Sequence, residues 1–308
     1  MILRGHHLRR QPPVFRALTG LAVADFDALA AALLPRHAAA ARARLGRAGR
    51  RRASGGGHPC ALPPRDQLLV AVVRLRRDPP YAVLGDRFGV SEPTARRTVG
   101  RLVRLLAAAG LDTMRLPDPG KGRRRDLDAL LRETPALAVL VDTCAQRVQR
   151  PRDRRAADSD YGGKKQQHTL KSQLAVDERD GCIVDVAPSV RGPTAASTPL
   201  KGAGLLARLP AGVGALGDLA YVGIAEAHPA GLGATPRRTP RGKPRPEADS
   251  AYKRAFARRR VVVGHTIGRL RRYEALTQPD RHHRRGHTAR VRAAAGLVNR
   301  QLRRHRAA

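Results

Sequence analysis

The chain has no tryptophan, aromatic residues make up 3% of it, and only three of its 308 residues are cysteine. A disulfide framework is excluded, because Cys60, Cys144 and Cys182 cannot all pair, and their spacing is not that of a metal site. Reduced thiols in a reducing compartment are expected. No stretch of 18 apolar residues occurs, and the N-terminus lacks a basic segment followed by an apolar one. The sequence therefore reads as that of a soluble, cytoplasmic protein with no membrane partner. Acids are scarce too: 25 Asp and Glu face 60 Lys and Arg, a net charge of +35. Such an excess repels itself in a compact state, and a polyanion that neutralises it is the simplest partner. Only seven of the 60 are Lys, a usage that partly reflects GC-rich coding. Even so, basic residues occur in nearly every segment, as binding along a phosphate backbone requires.

The length suits about two domains. FRALTGLAVADFDALAAALLPRH has apolar residues at helical spacing and is expected to stop at Pro35. An Arg- and Gly-rich linker, 46–59, follows, closing a lead-in of residues 1–59. Three helices are expected over 63–110: RDQLLVAVVRLRR between Pro64 and Pro79, YAVLGDRF ending at Gly89, and a third from Ser91 to Gly110. Ser91 suits an N-cap, and Val99, Leu102, Val103 and Leu106 form one apolar stripe. A short helix, a tight turn and a longer amphipathic helix describe a helix-turn-helix. Its DNA-facing residues would be Glu92, Thr94, Arg96 and Arg97, with Arg101 near the phosphates; the plainer alternative is a three-helix bundle with a solvated basic face.

From residue 135 the pattern turns to strands. ALAVLV ends in Asp142, HTLKSQLAVDERDGCIVDVAP reads as a hairpin, and GVGALG leads to Asp218. A long helix capped by Asp249 or Ser250 is expected over SAYKRAFARRRVVVGHTIGRLRRYEAL, then a basic helix over 279–308. His282, His283 and His287 read as part of a DNA-facing or solvated tail. Carboxylates at the ends of neighbouring strands can share Mg²⁺ or Mn²⁺ and act on a phosphodiester, although a strand-terminal Asp is often only a turn former.

These segments, in this order, resemble bacterial insertion-sequence transposases of the DDE type, the Harbinger-like group. GKKQQHTLKSQ is similar to that family's GKK-x-x-HT-x-K-x-Q, GDLAYVG to its GDKGYxG, and VDTCAQRVQRP to its first-aspartate strand. The resemblance spans about residues 60–300. It implies an α/β RNase H-like domain, a mixed sheet flanked by helices, over 135–278, preceded by an all-α helix-turn-helix domain over 60–115. It also implies a divalent metal (Mg or Mn) on Asp142 and Asp218, and double-stranded DNA, transposon ends and target, as substrate of strand cleavage and transfer. Lys164, Lys165, Arg260 and Arg271 would face the DNA. Homo-oligomerisation is left open, and the location implied is cytoplasmic and nucleoid-associated.

The third metal-binding acid of the family is a Glu in R-x3-E-x6-K. Here the frame reads Arg260, Gly264, Arg271, so Gly264 stands at the acid's position. Glycine offers no side-chain oxygen and costs roughly 1 kcal/mol in a helix relative to Ala. Ala195 and Ala196 stand where the family has His and Asp, and Thr143 follows Asp142 where Gly is usual. Glu226, Glu247 and Glu274 are poor substitutes for the missing acid. Tyr221 and His168 lie in family motifs and read as positioning or packing residues. The expectation is weakened metal binding and weak or lost cleavage; the alternative is a catalytically inactive DNA-binding relic or regulator.

Overall fold

Proline and glycine punctuate the first third of the chain. The computed structural model describes residues 2–46, 60–121, 129–163, 166–239, 242, 244 and 246–307. Helices α1 (Gly5–Leu8), α2 (Pro12–Thr19) and α3 (Val23–Leu45) precede α4 (Pro64–Arg77), α5 (Tyr81–Phe88) and α6 (Glu92–Leu111). The chain breaks at Gly20, whose φ of +74° suits glycine, so the expected lead-in helix is two helices. Pro35 does not stop the second one: α3 runs through it to Leu45. Pro35 removes one backbone donor, but AAAARARL beyond it is strongly helix-favouring, and Phe26, Leu29, Ala30 and Leu33 are buried before it. Of the expected linker, residues 47–59 lie outside the described residues.

The α4–α6 unit follows the expected boundaries within a residue. Its turn needs two glycines. Gly89 caps α5 with φ +65°, and a Cβ on Gly85 would come within 2.6 Å of the Val90 carbonyl oxygen. Ser91 sits at the N-cap of α6, but its hydroxyl reaches the Thr94 Oγ1 at 3.0 Å and makes no cap bond to the backbone.

The rest of the chain forms β1 (Leu137–Arg147), α7 (Arg154–Asp160), β2 (Tyr161–Gly162), β3 (Gln167–Asp177), β4 (Ile183–Val186), β5 (Val190–Arg191), α8 (Ser197–Gly202), α9 (Leu205–Arg208), β6 (Val213–Leu216), α10 (Ile224–Ala227), β7 (Gly233–Ala234), α11 (Glu247–Leu270) and α12 (His287–Ala307). One mixed sheet has the order β2-β3-β1-β6-β7, with β4 and β5 also on β3. β1 is antiparallel to β3 and parallel to β6. This is an RNase H-like mixed sheet with flanking helices, preceded by an all-helical unit, as expected. One face packs under α11 and α12, through Leu140, Phe256, Val263 and Val298; the other, with Val139, Val141 and Val184, is covered by α8–α10.

Three expectations are corrected here. Asp142 lies inside β1, which continues to Arg147 because its antiparallel pairing with β3 extends that far, while the parallel pairing stops at Leu216. Helix α11 starts at Glu247 after Pro246, so Asp249 falls in its first turn, where it pairs with Arg237 at 3.0 Å. The C-terminal helix is not a solvated tail. Val291, Ala294, Leu297 and Val298 are buried, and Asn299 bonds both backbone groups of Ile183 in β4. A Cβ on Gly296 would lie 2.4 Å from the Cα of Gly110, so α12 meets the end of α6 backbone to backbone. Among the described residues no single helix is long and apolar enough to cross a membrane.

Candidate active site and nucleic-acid interface

Helix α11 is held on the sheet by its buried face. The Arg259 guanidinium donates to both Glu178 carboxylate oxygens, at 2.6 and 2.8 Å, and to the Thr134 hydroxyl at 2.8 Å, with both charged side chains 2% exposed. Glu178 also accepts from the Ala138 N–H in β1, at 2.9 Å. Two residues beyond Gly264, on the opposite side of the helix, Thr266 donates to the Gly181 carbonyl in the β3–β4 turn at 2.8 Å. These bonds fix the helix register against β1. Sequence reasoning missed the pair, since Arg259 is one of three consecutive arginines and Glu178 lies 81 residues away.

The next residue therefore turns toward Asp142. Arg260 Nη2 lies 3.5 Å from Asp142 Oδ2. Leu140 pairs with Leu216, so Asp142 and Asp218, each two residues further along the same parallel direction, come to one level. Burial pushes the Asp142 carboxyl above its usual range and the Asp218 charge adds to this, while the Thr143 N–H, Arg260 and Arg271 oppose it. Asp218, Arg260 and Arg271 are thus all within electrostatic range of Asp142. Asp142 Oδ1 accepts from the Thr143 N–H at 2.7 Å within β1, whereas Asp218 does a turn former's work, its Oδ1 accepting from the Ala220 N–H at 2.9 Å.

Tyr221 is buried beside the two aspartates. Its ring packs where a Cβ on Gly217 would lie, 2.5 Å from the Tyr221 Cβ, which explains the glycine before Asp218. Its hydroxyl is buried and has no hydrogen-bond partner among the described residues. Burial, and then the charges of Asp142 and Asp218, push its pKa up. His168 has a structural role, its Nδ1 3.1 Å from the Ala157 carbonyl oxygen.

Gly264 lies one helical turn after Arg260 and seven residues before Arg271, on the same face of α11. A Cβ built on it meets nothing within 4 Å. The residue is neither a close-approach glycine nor a left-handed one, so packing does not demand it. Among the described residues no further acid is grouped with Asp142 and Asp218. Glu274 pairs with Arg77 at 2.6 Å, and Glu247 starts α11, about 25 Å from Gly264 at 1.5 Å per residue. Among the described residues no group of three or more His, Cys, Asp or Glu is placed to hold a metal.

Of the expected DNA-facing residues, Thr94, Arg96 and Arg97 lie in the first two turns of α6. Arg96 pairs with Glu92 at 2.9 Å and stacks over Tyr81, 4.8 Å from its ring centre, and Arg97 donates to Thr94. Arg101 is half-buried against α3, while Lys164 and Lys165 lie outside the described residues. The histidines of the supposed tail separate. His283 is exposed, but His282 is half-buried beside Arg74 and held near pKa 4 by burial and the surrounding arginines. His287 is 1% exposed and held near 3 by burial. The Gln146 amide donates to the Ala275 and Gln278 carbonyls, which turns its Oε1 toward His287 Nε2–H at 2.8 Å, and Ser189 donates to Nδ1 at 2.8 Å. This is a neutral core histidine.

Comparison with known proteins agrees with this layout. A family profile described as "DDE superfamily endonuclease" matches residues 141–299, just over half of the chain, and one described as "Helix-turn-helix of DDE superfamily endonuclease" matches 60–112. The chain is 26% identical over 237 residues to the "Probable transposase for insertion sequence element IS702" of Microchaete diplosiphon, covering 77% of this chain and 80% of that protein. No solved structure matches it significantly.

Proposed function

Because the chain belongs to the DDE superfamily of endonucleases, we propose that it is a transposase that grips duplex DNA through α4–α6 and whose strand-cleaving centre, Asp142 and Asp218, is impaired at Gly264. The observation that carries this reading is the open space at Gly264 on the helix face that places Arg260 against Asp142. A longer side chain there leans toward the helix N-terminus, and so toward Arg260 and Asp142.

Endonucleases of this superfamily use divalent metals. Two carboxylates at one level of adjacent strands fit one hard cation, Mg²⁺ or Mn²⁺, since such ions are held by one or two carboxylates with waters and phosphate oxygens completing the shell. They do not supply the ligands of a second. Asp142 and Asp218 would hold such a cation, which would supply Lewis-acid stabilisation of charge on the phosphodiester. The chain's own residues set the conditions. Asp142 must be ionised to bind the cation, which its burial opposes and Arg260 favours. Arg260 and Arg271 supply positive charge where a DNA phosphate would lie, and Tyr221 walls the site with a hydroxyl that is buried and unbonded among the described residues.

The test is nicking of supercoiled plasmid with Mg²⁺ and with Mn²⁺ by the natural protein, by Gly264→Glu, and by Gly264→Glu with Asp218→Ala. The expected result is a gain of at least about tenfold in Gly264→Glu, worth ~1.4 kcal/mol of barrier, that the second change abolishes. Nicking by the natural protein that Gly264→Glu does not increase means another group completes the site, and the reading of Gly264 fails. Complete inactivity of the natural protein, with rescue by Gly264→Glu, identifies a DNA-binding protein that no longer cuts.

A further inference from the structure

The arginines of the recognition helix do not end at Arg97. Arg97, Arg101 and Arg104 follow at i, i+4 and i+7 along α6, and the C-terminal half of α3 lies beside them. Between these helices and α4 opens a cavity of about 390 Å³, lined by His37 and Arg44 of α3, Gln67 of α4, Arg101 and Arg104 of α6, and Cys60. Three guanidiniums line it and no carboxylate does. The segment 47–59, which joins α3 to Cys60 in the chain, contributes four Arg, one His and no acid to the sequence.

Arginines nearby are treated differently. Arg36, two turns before Arg44, pairs with Asp112; Arg9 and Arg65 share Asp27; Arg77 pairs with Glu274. In the cavity, burial and then the charge of Arg44 lower the Arg101 pKa, with Arg97 and Arg104 adding to the crowding. Burial and Arg101 also lower the pKa of His37, so its imidazole is neutral at neutral pH. Like charges gathered without a counter-ion favour an anion that enters among them, and guanidinium forks match the geometry of phosphate oxygens.

We propose that this cavity seats a phosphodiester of the DNA backbone, which makes the C-terminal half of α3 part of the DNA-binding surface. The proposal rests on the reading that α4–α6 bind duplex DNA and extends it to a helix outside the helix-turn-helix. A phosphodiester there would lie against Arg44, Arg101 and Arg104 together, its single negative charge relieving part of their mutual repulsion, and would fix the duplex along α6 without reading its bases.

Two measurements on the full chain test it. The first is fluorescence anisotropy of a mixed-sequence duplex across a NaCl series. Arg44→Gln is expected to reduce the slope of log K against log salt by up to about 0.9, the contribution of one whole phosphate contact, while Arg36→Gln, whose charge Asp112 already partners, leaves the slope unchanged. The second needs no substitution. Cys60 is exposed in the cavity while Cys144 and Cys182 are buried, so its alkylation by iodoacetamide is expected to slow at least about fivefold on saturating duplex, with the buried thiols as internal references. An unchanged slope in Arg44→Gln, or an unprotected Cys60, overturns the proposal and leaves DNA binding by α4–α6 standing. Equal protection by inorganic phosphate alone at matched ionic strength overturns the assignment to the DNA backbone. If the natural protein binds no duplex, the underlying reading falls.

Discussion

Helix α11 has two faces that differ in how completely their polar groups are matched. On the buried face, Arg259 makes its bonds to Glu178 and Thr134 out of water, and Thr266 closes on Gly181. On the other face, Arg260 stands 3.5 Å from Asp142, its Nε has no partner among the described residues, and Gly264 offers nothing into open space. The matched face positions the helix, and the unmatched face is the one proposed to serve chemistry. No bond of the first runs through the second, so the residue at 264 can change without the helix moving. On the function proposed above, that is how the frame of a site would outlast one of its members.

The difference predicts unequal costs. Arg259→Met leaves the Glu178 charge buried without a partner, and chemical denaturation is expected to show a loss of about 3–5 kcal/mol. A double change to Arg259→Met with Glu178→Leu should recover much of it, because the buried charge is then gone. A loss well under 1 kcal/mol in the single variant would mean that the matched face does not hold the helix.

His287 gives an effect of intermediate size. Its folded pKa, about 3, lies below the ordinary 6.5, so on acidification the unfolded chain takes a proton that the folded one refuses. Its share of the stability is intact above pH 6.5 and is lost as pH falls from there toward 3, by about 1.4 kcal/mol per pH unit. Stability measured from pH 7 to 4 should fall less steeply in His287→Gln than in the natural protein. Equal slopes would put the imidazole in water, as a solvated tail would have it.

The smallest effect has the opposite sign. Gly264→Ala adds a Cβ that meets nothing, and a gain of about 0.5–1 kcal/mol is expected in the same denaturation assay. Gly85→Ala, where the Cβ would be 2.6 Å from a carbonyl oxygen, is expected to lose about 1–3 kcal/mol. If both glycines were costly to replace, Gly264 would be a packing device.

Local punctuation made much of this fold legible. Pro64, Pro79, Gly89 and Ser91 bound the helix-turn-helix, the run ALAVLV marks the central strand, and the spacing of Arg260, Gly264 and Arg271 places them on one helix face. What the sequence hid depends on distant partners. Asp142 looked strand-terminal because its apolar run stops there, yet β3 extends the strand by five residues. Asn299 and His287 sit among arginines in the sequence and only the β-sheet shows why they are buried. Pro35 broke a periodicity that a run of alanines then restored.

The contact between Gly110 and Gly296 has a mechanical meaning. Where two backbones touch, no side chain is left to yield, and Arg292 further ties α12 to the sheet through the Val186 carbonyl at 3.0 Å. Helix α6 and the paired aspartates are thereby mounted on one stiff frame. On the proposed function, a phosphate brought to Asp142 and Asp218 would lie at a set offset from the duplex held by α6, as on a ruler whose length is fixed by the fold.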